Sequence, residues 1–177
     1  MARHLGRSLG EAGFAVLTGG GPGLMEAANR GAKESGAQSL GCRMALSFEQ
    51  ASNRYMNRAA TVRYFFVRKV VMCRQAAGFA VLPGGIGTLD ELFEILALIQ
   101  TKRMRPKPII LLGRGYWRPL LTLLEQMVAA GTVARADMSL INVTDDVTHA
   151  VKLLTGSIAA VSLEPFDHDA VATSSLS

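Results

Sequence analysis

Apolar and polar positions alternate in short blocks along the chain, and the blocks predict helix and strand in turn. Residues 2–12 carry a helical repeat, and residues 14–17 form an apolar run of strand length. A Gly-rich loop over 18–23 leads into a helix over 24–35, which Gly36 ends. A weaker strand follows at 38–42, and residues 43–60 are polar and irregular. Residues 61–67 are β-branched and aromatic, and read equally as a strand or as the start of a helix over 68–77. A buried strand at 79–82 opens into a second Gly-rich loop, 83–87. The helix over 88–101 carries Leu89, Leu92, Phe93 and Leu96 on one face. A strand at 108–112, a helix at 117–130 closed by Gly131, a strand at 139–143 and a helix at 145–154 complete the series. From residue 156 to 177 the chain is rich in Ala, Ser and Thr, and reads as a flexible tail behind a single domain over 1–155.

Short apolar strands between amphipathic helices predict an α/β fold, a doubly wound parallel sheet with helices on both faces. In such sheets ligands bind beyond the carboxyl ends of the strands. The sequence Gly-Phe-Ala-Val-Leu occurs twice, from Gly13 and from Gly78, and a Gly-rich loop follows each copy. Both loops therefore fall on one sheet edge, where they can share a ligand. Two ordinary turns that need positive φ would explain one or two glycines per loop. They explain Gly19, Gly20, Gly21 and Gly23 less well.

Composition narrows the class. With 49% hydrophobic and 19% charged residues, the chain of 177 residues supports a core without staples. The longest apolar stretches are far shorter than the roughly 20 residues that span a bilayer, and Met1-Ala2-Arg3-His4 opens no signal peptide. Cys42 and Cys73 make neither a disulfide framework nor a metal cluster, so a cytoplasmic protein is expected. The net charge is +5, carried mostly by arginine. Between Gln50 and Leu89 there is no acid, while Arg54, Arg58, Arg63, Arg68, Lys69 and Arg74 fall in that window. Such a surface suits an anionic ligand or an acidic partner surface. Nucleic acid is not expected, because stacking aromatics and a binding motif are missing.

The densest chemistry lies in Pro83-Gly84-Gly85-Ile86-Gly87-Thr88-Leu89-Asp90-Glu91. Glycines let backbone N–H groups approach an oxyanion, and the following helix adds its positive end. Neither Gly-rich loop is a Walker loop or a GxGxxG fingerprint. Thr88 and Glu91 have the spacing of a capping box at a helix start, and Asp90 complements the dipole. A phosphate on the loop would bring a sugar within reach of Glu91. Arg68 and Lys69 at a helix start oppose the dipole, which points to an anion or a buried acid as their use. An Arg68–Glu91 pair would keep a carboxylate ionised beside a developing cation, or would be a structural ion pair.

These residues resemble the LONELY GUY family, often labelled "lysine decarboxylase-like" in bacteria. Arg68-Lys69 followed by the 83–91 segment resembles its RK…PGGxGTxxE signature, and Gly19-Gly20-Gly21-Pro22-Gly23-Leu24-Met25 resembles its upstream GGGxxGLM loop. The resemblance implies a Rossmann-like fold and a homodimer with the site near the subunit interface. It implies hydrolysis of the N-glycosidic bond of a nucleoside 5′-monophosphate, either AMP or an N6-substituted (cytokinin) AMP, with no metal or organic cofactor. Arg68 and Glu91 fall on the catalytic positions. Gly84, Gly85, Ile86, Gly87 and Thr88 fall on the phosphate loop, and Lys69 and Asp90 on ligand contacts. Glu49 matches a family glutamate ahead of the RK helix, and Gly20, Gly21 and Gly23 form the second loop. Phe65 and Phe66 stand where plant-type members carry Met-His, as in a bacterial branch. Family members begin with a strand and a Gly/Ser loop ahead of the first helix, so a sheet without that central strand is expected here. Decarboxylation by a lysine-bound pyridoxal phosphate has little to recommend it, since of the five lysines only Lys69 lies near the site. The alternative on this fold is a non-catalytic carrier of a phosphate ligand such as the molybdenum cofactor, which need not keep both Arg68 and Glu91.

Overall fold

The computed structural model describes residues 1–45 and 53–161. Helices and strands alternate as α1 (Ala2–Glu11), β1 (Val16–Thr18), α2 (Leu24–Glu34), β2 (Ser39–Met44), β3 (Arg58–Val62), α3 (Phe65–Gln75), β4 (Phe79–Val81), α4 (Ile86–Gln100), β5 (Ile109–Leu112), α5 (Arg114–Ala129), a 3-10 turn (Arg135–Leu140), β6 (Ile141–Thr144) and α6 (Val147–Val161). All strand pairs are parallel. They form two three-stranded sheets, in the orders β1-β2-β3 and β4-β5-β6. The α/β, Rossmann-like reading is correct.

The core follows the period-two geometry of β5, which has all four residues fully buried. Ile109 and Leu111 point into a cluster with Cys73 of α3, Leu92, Ile95 and Ile99 of α4, and Trp117 of α5. Ile110 and Leu112 point the other way, onto Leu5 of α1 and Val147, Ala150 and Leu154 of α6. Trp117 donates its indole N–H to the Leu112 carbonyl at 3.0 Å, which satisfies the one polar atom of that buried ring. In the first half-sheet, Val16 packs on Ala28 and Ala32 of α2. Leu9 of α1 packs on both this cluster and the α6 cluster, so α1 bridges the two half-sheets.

β1 and β4 do not pair. Between them lies a cavity of about 460 Å³, lined by residues 14–19 on one side and 75–83 on the other.

Four boundaries differ from the sequence reading. β3 occupies part of the stretch read as irregular, because its residues are mostly exposed and carry no apolar alternation. α3 begins at Phe65, so Arg68 sits one turn inside the helix rather than at its start. α4 begins at Ile86 and has no side-chain cap, so Thr88 and Glu91 form no capping box. The chain enters that helix from extended Gly85, two residues early. α6 continues to Val161, beyond the predicted start of the tail.

Candidate active site at the carboxyl edge of the strands

The site is built where β1 and β4 end. Each strand runs into a Gly-rich loop and then a helix, so the two loops meet at one edge of the fold. Thr18, Gly19 and Met25 come to the cavity from the first loop and its helix. Pro83, Thr88 and Glu91 come from the second, and Arg68 comes from α3. The two catalytic candidates therefore face one cavity.

Arg68 is held from two sides. Its Nε donates to the Cys42 carbonyl of β2 at 3.1 Å. Its Nη2 occupies the space above the Gly19 α-carbon, where any β-carbon would collide with it. A glycine is required at 19 for this close approach.

Glu91 sits in the second turn of α4, and burial pushes its carboxyl above the usual carboxylate range. The Arg68 charge acts in the opposite direction but is the smaller influence, and Asp90 adds a further upward push. Among the described residues no direct ion pair joins Arg68 to Glu91; they act on each other across the cavity. A half-buried carboxylate opposite a guanidinium is a common arrangement for stabilising a passing positive charge.

Lys69 and Asp90 pair with each other at 2.8 Å, and Lys69 lies 3.6 Å from Glu94. This cluster ties α3 to α4 and lies off the cavity lining. Gly84, Gly85, Ile86 and Gly87 join the cavity-lining Pro83 to Thr88, with Ile86 86% exposed. Gly84 packs against the Thr88 side chain so tightly that a β-carbon would clash with it. Gly20 and Gly23 take positive φ, 73° and 71°, and shape the first loop together with Gly21. Glu49 lies outside the described residues. Tyr116 is an addition that the sequence did not suggest. It sits at the start of α5, and its hydroxyl donates to the Gly84 carbonyl. The available signal was the strand-Gly-helix pattern at Gly113, which places a third loop on the same edge. Among the described residues no group of His, Cys, Asp and Glu could hold a metal ion, and no helix is long and apolar enough to cross a membrane.

The family model described as "Possible lysine decarboxylase" matches residues 25–154. A rice protein (Oryza sativa subsp. japonica) described as "Probable cytokinin riboside 5′-monophosphate phosphoribohydrolase LOG4" is 34% identical over 161 residues, 89% of this chain and 70% of its own length. The chain belongs to the LONELY GUY family. A LONELY GUY relative from Rhodococcoides fascians, described as "Cytokinin riboside 5′-monophosphate phosphoribohydrolase", is 28% identical over 85% of this chain and 78% of its own. The Arabidopsis thaliana relative LOG7 is 34% identical over 75% of this chain, which spans 62% of that protein's length. Among solved structures, a structural-genomics X-ray structure matches with a TM-score of 0.64 at 27% identity, covering 88% of this chain and 85% of that one. The molybdenum cofactor carrier protein of Chlamydomonas reinhardtii matches with a TM-score of 0.67 at 24% identity, covering 90% and 86%, and shows the shared fold.

Proposed function

We propose that this chain hydrolyses the N-glycosidic bond of a purine nucleoside 5′-monophosphate, AMP or an N6-substituted AMP. The products are a free base and ribose 5-phosphate. The observation that carries the reading is the convergence of Arg68 and Glu91 on one cavity, beside an α4 N-terminus that no side chain caps. First-turn N–H groups left without intrahelical partners suit a phosphate. A phosphate held there would lay the ribose toward Glu91, one turn further along the helix.

The bond between C1′ and the base nitrogen breaks with its electron pair going to the base. An oxocarbenium-like ribose results, which a neighbouring carboxylate stabilises. Water adds at C1′, and Glu91 takes a proton from it as the bond forms. That proton, or its equivalent from solvent, completes the departing base. Arg68 supplies a fixed positive charge that contacts the phosphate or ribose and keeps Glu91 more acidic than burial alone would leave it. The active form is a homodimer in the cytoplasm. Tyr64, Phe65, Phe66 and Val70 are all more than half exposed at the start of α3, and this apolar patch beside Arg68 is suited to a second copy.

The test uses purified protein with AMP and with N6-isopentenyladenosine monophosphate, following free base and ribose 5-phosphate, with Glu91→Ala as control. Release that the variant loses supports the hydrolase, and the ratio of the two rates assigns the base. Nucleotide binding without release by the folded protein supports the carrier reading instead.

A further inference from the structure

We propose that Asn29 is a positioning residue for Arg68, because both supports of the guanidinium lead back to this one buried amide. Asn29 lies on α2, just beyond the Gly19–Met25 loop, and is fully buried. Its Oδ1 accepts the Thr18 hydroxyl at 2.6 Å, and its Nδ2 donates to Ser39 Oγ at 2.8 Å and to the Leu40 carbonyl at 3.0 Å. A fourth bond comes from Asn53 Nδ2, at 2.9 Å to Oδ1. Every donor and acceptor of the amide is used, so its orientation is fixed.

One route runs through Thr18. Its hydroxyl donates to Asn29 and accepts the Gly20 N–H at 3.0 Å, which sets the turn of the first Gly-rich loop. Gly19, held between these two residues, is the surface on which Arg68 Nη2 rests. The other route runs through β2. Ser39 and Leu40 bind Asn29, and two residues further along the same strand the Cys42 carbonyl accepts Arg68 Nε. Only an amide can serve both routes here. A carboxylate at 29 would lose the donors to Ser39 and Leu40 and leave a buried charge, and an aliphatic residue would leave several polar groups unpaired.

The inference rests on the proposed hydrolase for its kinetic readout, and on Glu91 titration for a readout that does not depend on activity. Thr18→Val keeps the side-chain shape and cuts the route to the loop; Thr18→Ser keeps it. Asn29→Asp cuts the route to β2. The Glu91 midpoint is followed by carbon-13 NMR of the labelled carboxyl, in wild type and in Arg68→Met. Asp90 and Lys69, the other charges that act on Glu91, are unchanged in every variant. Thr18→Val is expected to raise the Glu91 midpoint in the direction that Arg68→Met does, and to lower kcat roughly 10- to 100-fold with KM changed less than about threefold. Thr18→Ser should restore both. Asn29→Asp should behave as Thr18→Val does, and if it does not fold, Thr18→Val decides alone. A folded Thr18→Val protein with wild-type Glu91 midpoint and wild-type kcat would overturn the proposal. If wild type releases no base, the hydrolase reading fails while the Glu91 midpoint still decides this one.

Discussion

The guanidinium of Arg68 rests on the α-carbon of Gly19, in the space a side chain at that position would need. The contact joins the first Gly-rich loop to the helix of the RK pair, which lie 49 residues apart in the chain. Much of the site's expected behaviour follows from it.

Gly19→Ala places a methyl group against Arg68 Nη2. Gly19 is not among the glycines with positive φ, so alanine suits the backbone, and the colliding atom is the end of a flexible side chain. The fold should therefore survive with Tm nearly unchanged. Base release from nucleoside monophosphate should fall about 10- to 100-fold, because a displacement near 1 Å costs on that order. A parallel measurement of Tm and kcat/KM checks both halves.

Glu91→Gln should abolish measurable base release while leaving the protein at least as stable near neutral pH. Burial raises the Glu91 pKa above its unfolded value. The folded state then binds more protons than the unfolded state between those two values, so the ionised carboxylate costs stability as pH rises through the window. Removing the charge removes that cost. Denaturant melts at pH 7 of wild type and variant give the comparison. The acid limb of the wild-type pH–rate profile should lie above the ordinary glutamate value of about 4.3.

Glu34 gives an acid response of opposite sign. It accepts hydrogen bonds from Arg3 and Arg30, which lower its pKa to about 2. Its contribution is present above the unfolded pKa of 4.5 and is lost as pH falls toward 2. The bonds from Arg3 cross from α1 to α2, so acid should loosen that helix pair. Glu34→Gln should flatten the pH dependence of Tm in this range and leave the rest of the curve in place.

Gly31→Ala tests how α1 meets α2. In an exposed helix interior this change would add up to about 1 kcal/mol of stability. Here the new methyl would run into the Arg3 carbonyl and the Arg7 backbone nitrogen of α1. Backbone cannot turn aside, and such overpacking costs typically about 1–3 kcal/mol. The clash should win, giving a lower Tm. Gly6→Ala, which meets the Ala28 carbonyl from the other helix, should act in the same direction.

The α/β alternation, the parallel sheet and the two loops on one edge were legible along the chain, because apolar runs of strand length and helical repeats depend only on local spacing. The RK pair and the 83–91 segment, as contiguous motifs, also marked Arg68 and Glu91 as candidates, and the two line one cavity. β3 could not be read, because an exposed edge strand needs no apolar alternation and is held by its partner's backbone. The missed start of α4 has a similar cause: Thr88 and Glu91 have capping-box spacing, and only the path of extended Gly85 into the helix showed that the box is unused. The role of Tyr116 at the Gly84 carbonyl and the closure of the Asn29 amide both join side chains across different elements. Hydrogen bonds of that kind leave no periodic trace. Residue spacing along one chain carries the elements and their motifs, while the seat of Arg68 and the burial of Glu91 depend on which elements fold against each other.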